Sequence, residues 1–347
     1  MVSLSVIIPV RNEEASITKV LDQLLAQHYE PDQLEIIVVD GLSTDATPQI
    51  VQQYAQKHVQ IRYVENPKRL ASAARNIGIH HAKGEAVLIV DGHCIIDSNE
   101  MLLRVDEAFA KSGADCLGRP QPLEMNNATP LQWAIATARR SPLGHHPDSF
   151  IYSGQARFSP ASSVAVAYRK SVFEKVGTFD ESFDACEDVE MNTRIDAAGL
   201  TCYFDPAIAV RYVPRESLKA LETQMNRYGR GRVRLWRKHR HTFSFKSFAP
   251  GLFVFWVLLT LPALVPPVIA TLFPEVLGTF LSNVFFVLPS IFVGVLIPYA
   301  LIIVAESTRL AITQKRWGLF PVLPHVFIAI HFGFGWGVLR ELFFSKR

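Results

Sequence analysis

The sequence predicts an α/β domain built on a mainly parallel central sheet, followed by an α-helical transmembrane region. Three observations carry this. From Leu4 to Val90, short apolar runs alternate with segments of helical spacing, the pattern of strands joined by right-handed crossover helices. Acidic residues end two of those runs, at Asp40 and Asp91. Charges are spread through residues 1–240 and become scarce from Ala249 onward.

The elements follow in order. Leu4 to Pro9 reads as a buried strand. Ala15, Ile17, Val20, Leu21, Leu24 and Leu25 lie at helical spacing within 13–27. Leu34 to Val39 is a second strand ending at Asp40-Gly41, and Ser43-Thr44-Asp45 offers caps for a helix to about Lys57. Val59 to Val64, Ala71 to Ala82 and Glu85 to Val90 read as strand, helix and strand. The stretch 125–157 contains Pro130, Pro142, His145, His146 and Pro147 and reads as a helix followed by a mobile loop over the site. Ser163 to Tyr168 is a strand and Lys170 to Val176 a short helix. Further helices run from Glu187 to about Ala198 and, amphipathic and basic, from Glu216 to Arg240. There is no internal repeat.

Three apolar stretches close the chain, at about 249–273, 276–305 and 319–338. Each reaches the roughly 20 residues a helix needs to cross a bilayer. The domain boundaries are therefore a soluble domain over 1–240, with 215–245 as a juxtamembrane helix, and a membrane region over 249–347. Basic residues precede the first stretch, and Arg309, Lys315 and Arg316 lie between the second and third. By the positive-inside rule the first domain is cytosolic. Three full crossings set Arg340, Lys346 and Arg347 on the far side, against the same rule. No secretory signal is visible at the N-terminus. Cys94, Cys116, Cys186 and Cys202 form no CxxC pair and read as reduced thiols. The net charge of +3 excludes little, and a basic run so close to a membrane segment speaks against nucleic acid as a partner.

Val90-Asp91-Gly92-His93 sets a carboxylate and an imidazole two positions apart at a strand end, where open α/β sheets bind ligands. Such a pair suits a divalent cation that neutralises a departing nucleotide diphosphate. Magnesium prefers oxygen ligands, so His93 tilts the choice toward Mn²⁺. Asp40 could accept a hydrogen bond from a base and Asp91 one from a ribose, or either could cap the turn that follows. Glu187-Asp188-x-Glu190 offers a general base for an acceptor hydroxyl, although carboxylates at a helix start are also expected from the helix dipole. Gln224 and Arg227 share one helix face, where Arg227 could brace a diphosphate and Tyr228 stack on a sugar. Arg230, Arg232, Arg234, Arg237, Lys238 and Arg240 read mainly as a belt held by anionic lipid, worth about 1 kcal/mol per residue near the surface.

These residues are similar to the family 2 glycosyltransferases of the GT-A fold, and most of all to their membrane-attached, ExoA-like enzymes of bacterial exopolysaccharide (succinoglycan-type) synthesis. The carriers are Val6-Ile7-Ile8-Pro9-Val10-Arg11-Asn12-Glu13-Glu14, Val38-Val39-Asp40-Gly41-x-Ser43-x-Asp45, Ala74-Arg75-Asn76-x-Gly78, Asp91-Gly92-His93 and Glu187-Asp188. The resemblance covers Ser5 to about Arg240. It implies that Pro9, Glu13 and Asp40 line a nucleotide-base pocket, to which Arg11 and Arg75 add. It sets Asp91 by the ribose and diphosphate and makes Asp188 the base, with Glu187 beside it. The family has aspartate where His93 stands. Gln224-x-x-Arg227-Tyr228 is similar to the Gln-x-x-Arg-Trp motif of processive synthases, with Tyr for Trp. The expected activity is inverting transfer of a single sugar from a nucleotide diphosphate donor, a UDP-sugar first, to a lipid-linked saccharide at the bacterial inner membrane, with Mn²⁺ or Mg²⁺. The alternatives are transfer to polyprenyl phosphate itself, or a non-catalytic assembly subunit.

Overall fold

The structure is a computed structural model and describes residues 1–145, 150–260 and 279–345. The chain forms two compact units: Met1–Asn126 with Pro147–Val213, and Asn127–His146 with Pro214–Arg347.

The first unit is organised by an eight-stranded sheet in the order β3-β2-β1-β4-β8-β6-β9-β7. Its strands are β1 (Leu4–Val10), β2 (Leu34–Asp40), β3 (Ile61–Glu65), β4 (Ala86–Ile89), β6 (Cys116–Gly118), β7 (Arg157–Phe158), β8 (Ala165–Arg169) and β9 (Cys202–Phe204). The first four pair parallel, as the alternation of strands and helices predicts. The strands β8 and β7 pair antiparallel with their neighbours. The strands β1, β2 and β4 are buried on both faces, which is why they read as unbroken apolar runs. Alternate residues divide between two cores: Val6, Ile8, Ile36, Val38 and Leu88 on one side, Ile7, Ile37, Val39, Val87 and Ile89 on the other. Two residues each make up β5 (Cys94–Ile95) and β10 (Arg211–Tyr212), an antiparallel pair outside the main sheet.

Gly78 is required by close approach. A Cβ there would lie 2.4 Å from the Ile7 side chain, so the Ala71–His81 helix can sit on β1 only with glycine at that position.

Two local expectations change. Ser163 and Val164 belong to a helical turn, Ala161–Val164, so the strand starts two residues later than the sequence suggests. The cap of the Thr47–Lys57 helix is Ala46 and makes no side-chain capping bond. Ser43 instead bonds Asp40, while Asp45 accepts from the Thr47 amide at 3.0 Å.

The second unit is helical. The expected 125–157 helix is Pro130–Arg139, with Thr129 and Gln132 forming a capping box. His146, in the loop that follows, lies outside the described residues. Among the described residues, two helices are long and apolar enough to cross a membrane, Gly294–Thr313 (within Thr279–Thr313) and Leu323–Phe343; the apolar helix Phe245–Thr260 is shorter. The remainder of the first apolar stretch, the start of the second, and Lys346 and Arg347 lie outside the described residues.

The units part at Val213, ahead of the basic helix Leu218–Lys238, which packs along Leu323–Phe343. Glycine makes that packing close: a Cβ on Gly229 would lie 2.1 Å from the Phe334 carbonyl, and one on Gly337 would lie 2.1 Å from that of Asn226. The same pairing corrects the lipid belt at three positions. Arg230 and Arg234 reach the buried Glu341 carboxylate at 3.1 and 2.9 Å. Arg237 lies 3.8 Å from it and donates to the Leu342 carbonyl. These arginines hold a protein carboxylate inside the helical unit.

Candidate active site

The residues of interest in the first unit stand on the loops that follow β1, β2 and β4, on the Ala71–His81 helix, and at the start of the Glu187–Ala197 helix.

The loops after β1 and β2 are laced together. The Asn12 amide donates to Ser43 Oγ (2.8 Å), the Thr44 amide to Asn12 Oδ1 (2.8 Å), and the Glu13 amide to Thr47 Oγ1 (2.8 Å). Asp40 is buried and turned into this lacing: it accepts from the Ser43 amide at 3.0 Å, from the Ser43 hydroxyl and from Tyr63 Oη at 3.2 Å. In this state its carboxylate closes a turn. Pro9 is half-buried at the end of β1, and Arg11 is exposed just beyond it.

After β4 the chain turns through Asp91, Gly92 and His93. Gly92 is required here as well: a Cβ would lie 2.7 Å from Val10 Cγ1. His93 Nδ1 lies 2.9 Å from Glu13 Oε1. Asp91 Oδ2 accepts from Tyr212 Oη at 2.8 Å. Burial alone would raise the Asp91 pKa, but Arg75, His93, the Tyr212 hydrogen bond and Arg119 together hold it below its usual 3.8. The Asp91 carboxylate is thus kept ionised.

The acidic triplet at the second helix is sorted by burial. Glu187 is buried, and its Oε1 lies 2.9 Å from Arg75 Nη1. Glu190 is buried and pairs at 3.0 Å with Arg194, which also donates to the Val176 and Thr178 carbonyls. Only Asp188 of the three is exposed. Next to Arg75, Asn76 grips the approach to this helix: its side chain donates to the Phe179 carbonyl and accepts from the Phe179 amide, both at 2.8 Å. Arg75 itself lies 5.2 Å above the Phe179 ring. The Ala74-Arg75-Asn76-x-Gly78 segment therefore ties the helix start to β1.

Arg75 contacts Glu187 and lies within the electrostatic reach of Asp188 and Asp91. Burial opposes its charge, yet the fields of Glu187, Asp188 and Asp91 raise its pKa above the usual 12.5. Burial, followed among the acids by Asp188 and Asp91, raises Glu187 above its ordinary 4.5 against the pull of Arg75. Glu187 and Asp91, in the same neighbourhood, are thus pushed in opposite directions.

Two residues here escape the reading of the sequence. Tyr212 is 121 residues from Asp91, the acid it bonds. Arg119 is 1% exposed, donates from Nη2 to the Ile89 carbonyl at 3.0 Å, and has no partner at Nε or Nη1. A charged residue directly after an apolar run, Cys116-Leu117-Gly118, was the available cue.

Gln224, Arg227 and Tyr228 belong to the helical unit. Gln224 Nε2 donates to Tyr228 Oη at 3.1 Å, so the pair spans i and i+4, and Arg139 lies 5.9 Å over the Tyr228 ring. Arg227 is exposed.

Among the described residues no group of three or more His, Cys, Asp or Glu side chains is arranged to hold a metal ion. Asp91 and His93 make a two-residue donor set. That fits an ion completed by substrate phosphates and water, as Mg²⁺-like ions usually are. The Glu13 carboxylate on His93 Nδ1 fits too, because metal-binding imidazoles are commonly oriented by a carboxylate on the other nitrogen.

Residues 5–177 match the family described as Glycosyl transferase family 2. The chain is 28% identical over 247 residues, 71% of its length, to the succinoglycan biosynthesis protein ExoA of Rhizobium meliloti, covering 73% of that protein. It is 28% identical over 246 residues, 68% of its length, to a dolichyl N-acetyl-α-D-glucosaminyl phosphate 3-β-D-2,3-diacetamido-2,3-dideoxy-β-D-glucuronosyltransferase of Methanococcus voltae, covering 74% of it. Among solved structures, the mannosyltransferase PcManGT of Pyrobaculum calidifontis, in complex with GDP-Man and Mn²⁺, superposes with a TM-score of 0.58 at 18% identity; the match covers 99% of this chain and 88% of that one. The class is that of glycosyltransferases with a GT-A nucleotide-sugar fold. Within it, residues 5–177 form a family 2 glycosyltransferase domain, and among the described residues two helices are long and apolar enough for membrane attachment.

Proposed function

We propose that the protein is an inverting glycosyltransferase that moves one sugar from a nucleotide diphosphate donor to a lipid-linked saccharide. The observation that carries this is that Arg75, paired with Glu187 at 2.9 Å, lies within the electrostatic reach of both Asp188 and Asp91. It supports one shared cavity for the leaving group and the proton acceptor.

The roles divide by environment. Glu187, buried against Arg75, positions that cation and the helix start. Asp188, exposed, takes the proton from the acceptor hydroxyl as its oxygen attacks the anomeric carbon. The bond from that carbon to the donor diphosphate breaks as the new glycosidic bond forms, and the configuration inverts. Asp91 and His93 are the residues that would hold a divalent cation, which when bound supplies Lewis-acid neutralisation of the departing charge. Glu13 orients the His93 ring for that task.

The acceptor assignment is supported by the Methanococcus relative, whose name describes β-linked addition of a sugar to a dolichyl-phosphate-linked one. The cytosolic placement of the first unit is supported by the basic residues that precede Phe245–Thr260.

The test is turnover of the full-length protein in detergent with a panel of nucleotide sugars led by UDP-sugars, Mn²⁺ or Mg²⁺, and a membrane-lipid extract. Asp188→Asn is expected to abolish transfer while donor binding stays close to wild type. Normal turnover by that variant would remove Asp188 from the mechanism. Supplying polyprenyl phosphate in place of the saccharide lipid separates the two acceptor chemistries.

A further inference from the structure

Tyr212 touches both members of the Asp91–His93 pair. Its hydroxyl donates to Asp91 Oδ2 at 2.8 Å, and its ring meets that of His93 edge-on, with 6.0 Å between centroids. The backbone reinforces this. Tyr212 is in register with Cys94, the residue after His93, across the β5–β10 pair. Its amide donates to the Pro122 carbonyl at 3.0 Å, and its carbonyl accepts from the Glu124 amide at 2.8 Å. The preceding residue, Arg211, is held by Glu124 at 2.6 Å and by Asp97.

We propose that Tyr212 is a positioning residue for cation binding. It fixes one oxygen of Asp91 and the plane of His93, so that the pair meets a divalent ion in a single arrangement. The inference rests on the reading of Asp91 and His93 as the ion-binding pair. Its physical basis is a freedom that Asp91 otherwise has: a carboxylate can turn about its own bond, and turning moves both oxygens. A donor on Oδ2 leaves Oδ1 facing the ion and removes that rotation before the ion arrives. Neighbours that orient metal ligands commonly change metal affinity about 10- to 100-fold when removed. Tyr212 lies one residue before the point where the chain leaves the first unit, so the β5–β10 pair also anchors that exit to the ion site.

The experiment titrates Mn²⁺ into the full-length protein in detergent with UDP present, following free Mn²⁺ by its electron paramagnetic resonance signal. Wild type is compared with Tyr212→Phe and Asp91→Asn. Tyr212→Phe keeps the ring and removes only the hydroxyl. We expect it to bind Mn²⁺ about tenfold more weakly, and turnover to recover at saturating Mn²⁺. Affinity equal to wild type in Tyr212→Phe, with loss in Asp91→Asn, overturns the role of Tyr212 and leaves the ion site standing. Equal affinity in both variants overturns the ion site, and the inference with it. Should Tyr212→Phe fail to fold, fluorotyrosine at position 212 keeps the hydroxyl and reports directly. Its ¹⁹F resonance is expected to shift when Mg²⁺ and UDP are added together, and an unmoved resonance counts against the role.

Discussion

Arg75 and Glu187 form an ion pair of 2.9 Å whose side chains are only 12% and 11% exposed. The two residues are 112 positions apart in the chain. Their pairing brings the start of the Glu187–Ala197 helix against the helix that packs on β1, and so brings Asp188 into the field that also contains Asp91.

Arg75→Met removes the cation shared by the three acids. Breaking one side of a buried pair costs about 3–5 kcal/mol, and loss of that order is expected in the thermal or denaturant stability of the protein in detergent. The loss should shrink at mildly acid pH, where Glu187 takes up a proton. A variant as stable as wild type at neutral pH would mean that the pair is not buried in solution.

Glu187 and Asp91 shift in opposite directions, which gives stability a characteristic pH profile. Glu187, raised chiefly by burial, contributes stability that is complete below its ordinary 4.5 and is lost as pH climbs through its folded-state value. Asp91 is held below 3.8 by Arg75, His93 and Tyr212 against burial; its contribution is present above 3.8 and lost as pH falls through the folded-state value. Melting temperatures measured in metal-free buffer from about pH 3 to pH 7 should therefore include a decline above pH 4.5 that Glu187→Gln removes. Parallel profiles for the two proteins would contradict the assignment.

The core of the fold was legible because β1, β2 and β4 are buried on both faces and so are written as continuous apolar runs. The strands β5, β6, β7, β9 and β10 contain only two or three residues each, too few for any period to appear. Their positions come from pairing, and so does the antiparallel direction of β8, whose strand the sequence did show. In the site, the acidic and basic residue types were visible, but their division of labour was not. Glu187, Asp188 and Glu190 look alike in sequence, and burial alone sets Asp188 apart. Ser43 and Asp45 read as helix caps, yet in this state they join, together with Asn12, the loops after β1 and β2. Tyr212 could not be found at all, because its meaning lies in a contact across 121 residues.

Gly92→Ala tests the geometry of the Asp91–His93 turn. The added carbon would lie 2.7 Å from Val10 Cγ1 and 3.4 Å from Glu13 Cγ, so the turn must shift. A displacement near 1 Å at a reacting centre can cost about a hundredfold in rate, and a loss of tenfold or more in turnover is expected. Val10→Ala should restore part of it by removing the methyl group in the way. If Gly92→Ala turns over normally, the turn tolerates movement and its geometry does not limit the reaction.

In the helical unit, the fit between Leu218–Lys238 and Leu323–Phe343 depends on positions where no Cβ can be accommodated. Alanine at Gly337 would set its Cβ 2.1 Å from the Asn226 carbonyl oxygen, forcing the helices apart. The shift would also stretch the contacts of Arg230 and Arg234 to Glu341, which lies one helical turn further on. Close helix packing in membranes relies on small residues in this way. Gly294 is the control, since a Cβ there would meet nothing within 4 Å and its helix favours alanine over glycine by about 1 kcal/mol. We expect Gly337→Ala to lower the melting temperature in detergent by several degrees, and Gly294→Ala to leave it unchanged or raise it. Equal melting temperatures for the two would show that the helices separate without cost, and that Glu341 does not hold them.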